Sequence, residues 1–309
     1  MIRAATLALV CALAGTAGAE PGVVERSRVE VQPGGRAIKQ LTIENPLGDV
    51  RVEGYDGTAI QIETRKQAPD DDTLDRLRVS LVPNPDGTVR ITTTADPAHE
   101  SPPVARGAVR IDLIVRAPRD ARIDAVAGAG KLEVINMDAG GELDTASGPI
   151  SVRNVAGEVM THSVSGATSL AQVFGSVDAQ TISSNLELDT IGGERLIATA
   201  SRGKIAGRRV RSREVQLTTT EGSITLEGET PLRGHMVVAS LRGDLDIRLR
   251  RAGAVRIRAR GAKVMLGAPA HDQPDGWVEA QIGQLSRGVN PAFIQLRSHY
   301  GIVKFSIVD

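Results

Sequence analysis

Residues 143–160 read LDTASGPISVRNVAGEVM, residues 161–178 THSVSGATSLAQVFGSVD and residues 179–196 AQTISSNLELDTIGGERL. Laid under one another, these lines repeat with a period of 18 residues. Leu143, Thr161 and Ala179 head a column that runs on to Ile197 and Val215. Thr145, Ser163, Thr181, Thr199 and Leu217 form a second column, and Ser147, Ser165, Ser183, Ser201 and Thr219 a third. Val155, Val173 and Ile191 form a fourth, Gly157, Gly175 and Gly193 a fifth. Fixed-period self-similarity of this length is the signature of a stacked repeat.

Within each copy apolar residues alternate, as at Ile150 and Val152 and at Leu186 and Leu188. After one-residue insertions come Ile205 and then Ile224 with Leu226. A period of two is the strand period and puts these side chains on one face. Gly148, Gly157, Gly166 and Gly175, continued by Asn185 and Gly193, fall at about half the repeat. Gly and Asn tolerate the positive φ of tight turns, so each copy reads as two short strands and two turns. One copy cannot bury its apolar face, but stacked copies can, with equivalent strands about 4.8 Å apart. The expected fold is all-β: a single-chain β-solenoid with about 18 residues per coil, preceded by an irregular β-region. The serine and threonine columns fit a narrow interior if their hydroxyls bond within the stack.

The pattern loosens through Gly222–Leu226, Gly243–Ile247 and 261–266, breaks at 267–276, and resumes at Tyr300–Phe305. Phe293, Tyr300 and Phe305 gather there, which suggests capping strands. The first residues read as a secretory signal: Arg3, an apolar run from Ala4 to Ala14, and Ala17-Gly18-Ala19 as a small-residue cleavage site before Glu20. The expected organisation is a signal peptide over 1–19, a β-region over 20–123 that starts the stack, solenoid repeats over 124–266, and a loop with capping strands over 267–309. The apolar run is shorter than the ~20 residues a spanning helix needs, and no later segment is long enough, so no transmembrane segment is expected in the mature chain. Cys11, the only cysteine, lies in the leader, so the mature chain carries no disulfide. The expected location is outside the cytoplasm, in the periplasm or at the cell surface or secreted.

Three segments resemble the adhesin-like toastrack family, a domain of unknown function. They are Ile43-Glu44-Asn45-Pro46-Leu47-Gly48-Asp49-Val50-Arg51-Val52-Glu53-Gly54, then Val109 to Pro118, then glycine-punctuated repeats such as Thr145-Ala146-Ser147-Gly148-Pro149-Ile150-Ser151-Val152. The resemblance implies an extracytoplasmic β-solenoid-like domain acting in adhesion or envelope sensing, and it implies no catalytic residues.

A search for chemistry finds little. The histidines, His99, His162, His235, His271 and His299, lack metal-ligand spacing. His162 and Ser163 are strand neighbours, so their side chains diverge. Gly128-Ala129-Gly130-Lys131 lacks the rest of a phosphate loop. Asp70, Asp71 and Asp72 read as a solvated acidic loop. Outward acids such as Asp178, Glu187 and Asp189 follow from strand alternation and do not define the facing pair of a glycosidase. No catalytic residue, cofactor or metal is expected.

Formal net charge is zero, but the charge is segregated. Asp124 to Glu194 holds 10 acids and 2 bases, net −8, and Arg195 to Lys263 holds 16 bases and 6 acids, net +10. A merely soluble surface intersperses its signs. Arg248 and Arg250 alternate with Ile247 and Leu249, and Arg256, Arg258 and Arg260 with Val255, Ile257 and Ala259. Alternation predicts that the five arginines share an outward face of adjacent strands and offer a candidate anion-binding surface. The expected partner is an anionic envelope polysaccharide or a lipid headgroup, or an envelope protein, with no nucleic acid. The expected role is a non-catalytic adhesin-like binding module. The alternatives are a structural or stress-sensing partner of an envelope protein and a polysaccharide-active β-helix enzyme.

Overall fold

The computed structural model describes residues 22–32, 36–95, 109–231, 234–283 and 290–308. The expected signal peptide, 1–19, lies outside the described residues. The chain is a β-solenoid of short strands with, among the described residues, one helix, Asp71–Leu74, whose N-cap Asp70 accepts from the Thr73 amide at 2.7 Å. It divides into two compact units, residues 1–151 and 152–309.

The second unit carries the repeat in two parallel ladders. In one, Val159–Ser163, Val177–Thr181, residues 196–200, residues 214–219 and His235–Ser240 follow each other. In the other, Thr168–Phe174, residues 186–192, residues 205–211, Ile224–Glu229 and Leu245–Arg250 do so. The 17-residue strands Leu186–Arg202 and Ile205–Glu221 turn the corner and serve both ladders. Val159, Val177, Leu196, Val215 and Met236 stack as one buried column because every second side chain faces inward.

The register is not a constant 18. Thr181 pairs with Ala200, not Thr199, and Ala179 with Ala198, not Ile197, so Ile197 pairs with Asp178 and is half-buried. The cause is local: one residue, Ser176, lies between Gly175 and Val177, but two, Glu194 and Arg195, lie between Gly193 and Leu196. The step becomes 19 residues, from Ala200 to Thr219, and then 21, from Thr219 to Ser240. The inward hydroxyl column is therefore Ser163, Thr181, Thr219, Ser240, interrupted by Ala200.

Most of these hydroxyls bond at the turn rather than across the core. Ser163 Oγ accepts from the Gly166 amide at 2.9 Å and donates to the Gly166 carbonyl, while Ser240 Oγ donates to the Gly222 carbonyl at 3.2 Å. Thr161, Thr168, Thr181 and Ser212 keep buried hydroxyls without a partner among the described residues. The glycine after each such turn is needed for close approach, not for positive φ. A Cβ on Gly203 would stand 1.9 Å from the Ser184 carbonyl oxygen, and one on Gly243 1.7 Å from that of Gly222. Positive φ is found at Gly157 and Gly193, as expected of turn glycines, and also in a non-glycine column, Asn154, Gln172, Thr190 and Arg209, at φ between 53° and 58°.

The last strands do not cap this unit. Ala292–Ser298 lies between His235–Ser240 and Val255–Arg260, parallel to both. Ile302–Val308 lies likewise between Leu245–Arg250 and Lys263–Leu266. Its Gly-led alternation, with Val303 and Phe305 buried, makes it an interior coil. Beyond Val255–Arg260 the ladder reverses into antiparallel Val278–Ile282 and Ala270–Asp272.

The first unit is built the same way. Gln40–Asn45 sits between Thr88–Ala95 and Arg122–Ala127, and Val50–Tyr55 between Arg110–Pro118 and Leu132–Met137, all parallel. Antiparallel strands end both ladders: Leu77–Pro83 on one, Ile60–Ala68 and Val23–Val31 on the other. Asn45 is fully buried at the inner turn. Its Nδ2 donates to the Ile111 carbonyl at 2.8 Å and the Asp49 carbonyl at 3.2 Å, and its Oδ1 accepts from Thr93 Oγ1 at 2.6 Å and the Leu47 amide at 3.3 Å. All four bonding positions of the amide are used.

Candidate functional site

Strand alternation sends Asp246, Arg248 and Arg250 outward from the buried Leu245, Ile247 and Leu249. Arg256, Arg258 and Arg260 project outward from Val255, Ile257 and Ala259 by the same rule. The five arginines do not share one face. Leu245–Arg250 pairs with Ile224–Glu229 and Ile302–Val308, whereas Val255–Arg260 belongs to the other ladder, beside Ala292–Ser298 and Val278–Ile282. Consecutive strands of a coil occupy different ladders, and the inserted last coil adds a further separation.

Arg248 and Arg250 line an open groove with Arg208, Arg211, Glu227 and Glu229. Register explains the gathering: Glu227 stands opposite Arg248 and Glu229 opposite Arg250, while Arg208 and Arg211 come from the preceding coil. Arg248 is committed to Asp246 at 2.9 Å and Glu227 at 3.8 Å. The Asp246 hydrogen bond is the largest influence on its guanidinium and holds its pKa above the usual value. Arg211 is committed to Glu229 at 2.9 Å, and Arg209 to Asp189 and to Thr190 Oγ1 at 2.8 Å. Arg208 and Arg250 are exposed and have no acidic partner among the described residues. Arg209 also lines the groove, which thus presents two uncommitted guanidinium groups beside three neutralised ones.

The second cluster is divided by its own contacts. Arg258 is half-buried, with Asp275 at 2.5 Å, Glu279 at 3.4 Å and the Trp277 ring centroid at 4.6 Å from its guanidinium carbon. That arrangement is a clamp on the antiparallel hairpin. Arg256 and Arg260 are exposed, and Arg260 stands opposite Arg297 in the ladder. Arg208, Arg211 and Arg297 join the basic surfaces only through pairing across the stack. Arg208 and Arg211 lie inside the +10 stretch, so the charge count held a signal for them, but their partners depend on the 19- and 21-residue steps.

His162 is half-buried and pairs with Gln180, while the neighbouring Ser163 is buried and bonded at its turn, so the two side chains part as alternation requires. Among the described residues no helix is long and apolar enough to cross a membrane.

No family model matches the chain, and no curated protein does, so the toastrack resemblance rests on the sequence motifs alone. Several solved structures are similar to the chain at low identity. A "putative adhesin" from Parabacteroides distasonis is 12% identical, with 93% of this chain and 98% of that chain covered and a TM-score of 0.36. A "putative lipid binding protein" from the same species is 12% identical over 91% of this chain and 96% of that chain, TM-score 0.36. A "putative cell adhesion protein" from Clostridium sporogenes is 10% identical over 92% and 100%, TM-score 0.25. Likeness at these values carries no functional argument, and the chain is described by its fold.

Proposed function

We propose that this chain is an exported, non-catalytic, adhesin-like binding module of the bacterial cell envelope that holds anionic groups through its arginines. The carrying observation is the groove in which Arg208 and Arg250 stand exposed without acidic partners among the described residues. A planar guanidinium can donate two parallel hydrogen bonds to a phosphate or carboxylate, which is the chemistry of lipid headgroups and acidic polysaccharides. Arg256, Arg260 and Arg297 supply a second basic surface on the other ladder. Each contact near an anionic surface contributes about 1 kcal/mol and fades with salt. The groove's two carboxylates are already used, Glu227 by Arg248 and Glu229 by Arg211, which favours binding over glycoside cleavage.

The test measures binding to phosphatidylglycerol vesicles, phosphatidylcholine vesicles and polygalacturonate at low and high salt, with light scattering alongside. Salt-sensitive binding to an anionic probe, lost in Arg208→Ser/Arg250→Ser, is expected. Retained binding in that variant but loss in Arg256→Ser/Arg260→Ser moves the site to the other ladder. Salt-sensitive oligomers without probe binding mean that basic coils meet acidic coils of another copy. No binding to any probe rejects the reading.

A further inference from the structure

The outward row that reaches Arg250 begins with an aromatic ring. Phe174 stands opposite Gly192, and Gly192 opposite Arg211. Arg211 is paired to Glu229, and Glu229 stands opposite Arg250. One row therefore crosses successive strands of this ladder on its outer face, from Phe174 through Gly192, Arg211 and Glu229 to Arg250. Arg208 lies on the same strand as Arg211, in the neighbouring row with Asp189.

Phe174 is 54% exposed, although the adjacent Val173 is fully buried. Its ring leans toward the arginines: the atoms nearest to a Cβ built on Gly192 would be Phe174 ring carbons, at 3.4 and 3.8 Å. Gly192 has no side chain to compete for that space, so the ring extends over the next strand toward Arg211. An exposed phenyl ring leaves water only when an apolar surface covers it, and a flat ring asks for a flat cover.

The spacing along the stack is regular. Phe174 is two strands from Arg208, and Arg208 two strands from Arg250, so the three recur at about 10 Å. Between the two uncommitted guanidinium groups lie Glu227 and Glu229, held by Arg248 and Arg211. Along the strip the surface is apolar, then positive, then neutral but rich in acceptor oxygens, then positive again.

That order selects among anions. A single phosphate or carboxylate cannot reach both free arginines across about 10 Å, and a headgroup set over the middle strand meets two carboxylates. A polymer charged on every sugar meets them too. A polysaccharide in which acidic and neutral sugars alternate does not. Its charges fall on Arg208 and Arg250, the neutral sugar between them donates hydroxyls to the carboxylate oxygens of Glu227 and Glu229, and the apolar face of a further ring covers Phe174.

We infer that the groove and Phe174 together form a row of subsites for an alternating acidic polysaccharide laid across the coils, a ligand class that rests on the anion-binding role proposed above.

The test is calorimetric titration of the full chain with three probes: an octasaccharide of alternating glucuronate and N-acetylglucosamine, an octagalacturonate charged on every ring, and phosphatidylglycerol vesicles. The alternating octasaccharide is expected to bind about fivefold more tightly than the octagalacturonate, although it carries half the charge. Phe174→Leu, which still covers Gly192 with an apolar side chain, is expected to weaken that binding about tenfold, and Phe174→Tyr, which keeps the ring, to retain it. Equal or weaker binding of the alternating octasaccharide to the parent chain overturns the assignment without recourse to any variant. Parental affinity in a folded Phe174→Leu overturns it as well, and so does binding to vesicles alone. In those cases, binding of octagalacturonate or vesicles that is lost in Arg208→Ser/Arg250→Ser leaves the broader anion-binding role standing. Binding of no probe removes both.

Discussion

Gly222 lies against the backbone of Gly203 so closely that a Cβ on it would stand 1.9 Å from the Gly203 carbonyl oxygen. The obstacle is main chain in a hydrogen-bonded coil and cannot swing aside. Gly222→Ala must push two coils apart and is expected to cost about 3 kcal/mol or more, as severe overpacking does. Gly267→Ala is the control, since its nearest obstacle is the Phe305 carbonyl oxygen at 3.4 Å. Urea midpoints should fall sharply for the first and within about 0.5 kcal/mol of the parent for the second. Equal midpoints would show that the coils are not stacked at this turn.

Asn45 spends its amide on four partners in the first unit. Asn45→Ala strands the buried Ile111 carbonyl and the hydroxyl of Thr93, which is itself buried. An unsatisfied buried group costs about 1–3 kcal/mol, so a loss of about 3 kcal/mol is expected. Asn45→Asp removes the Nδ2 donor and places a carboxylate beside two carbonyl oxygens, and should cost at least as much. A thermal melt of either variant that matches the parent would contradict the hub.

Ile191 is 1% exposed and pairs with Val173. Ile191→Asp buries a carboxylate against the apolar Val173, a change costing several kcal/mol through lost packing and desolvation. The cooperative transition of the second unit should disappear from a circular-dichroism melt. Ile191→Val, which keeps the apolar contact, should cost only about 1 kcal/mol. Parent-like melting of the aspartate variant would place Ile191 at the surface.

Thr190 holds φ at 58°, a left-handed conformation that a β-branched side chain adopts at a cost. Asn154, at the equivalent place in an earlier coil, adopts φ of 53°. Thr190→Asn is expected to raise stability by about 1 kcal/mol, because asparagine tolerates this region. The Arg209 contact to Thr190 Oγ1 can pass to the asparagine oxygen. A lower midpoint would mean that the threonine contacts outweigh the backbone strain.

The stacked nature of the fold was legible because apolar alternation and glycine spacing are local and survive in the primary order. Ile191 falls in its expected column, and the glycines fall where coils approach. Which glycine serves which purpose was not legible, since close approach of a carbonyl, as at Gly203 and Gly243, and positive φ, as at Gly157 and Gly193, ask for the same residue. The positive-φ column escaped notice because Gln172, Thr190 and Arg209 are not residues that announce it. A constant step of 18 misplaced Ile197, because one added residue at a corner moves every later partner without disturbing alternation. The arginine surface suffered most. Which strands neighbour Arg250 and Arg256 depends on a coil supplied from 292–308, and no local pattern encodes an out-of-order insertion.

That insertion also sets how the chain answers to tension. Ile302–Val308 is hydrogen-bonded along both edges, to Leu245–Arg250 and to Lys263–Leu266. A pull along this strand loads both ladders in shear, so many backbone bonds must yield together. A strand at the end of a stack would instead peel from one neighbour, one bond at a time. Seating this strand one coil deep makes it resist being unzipped from its neighbours.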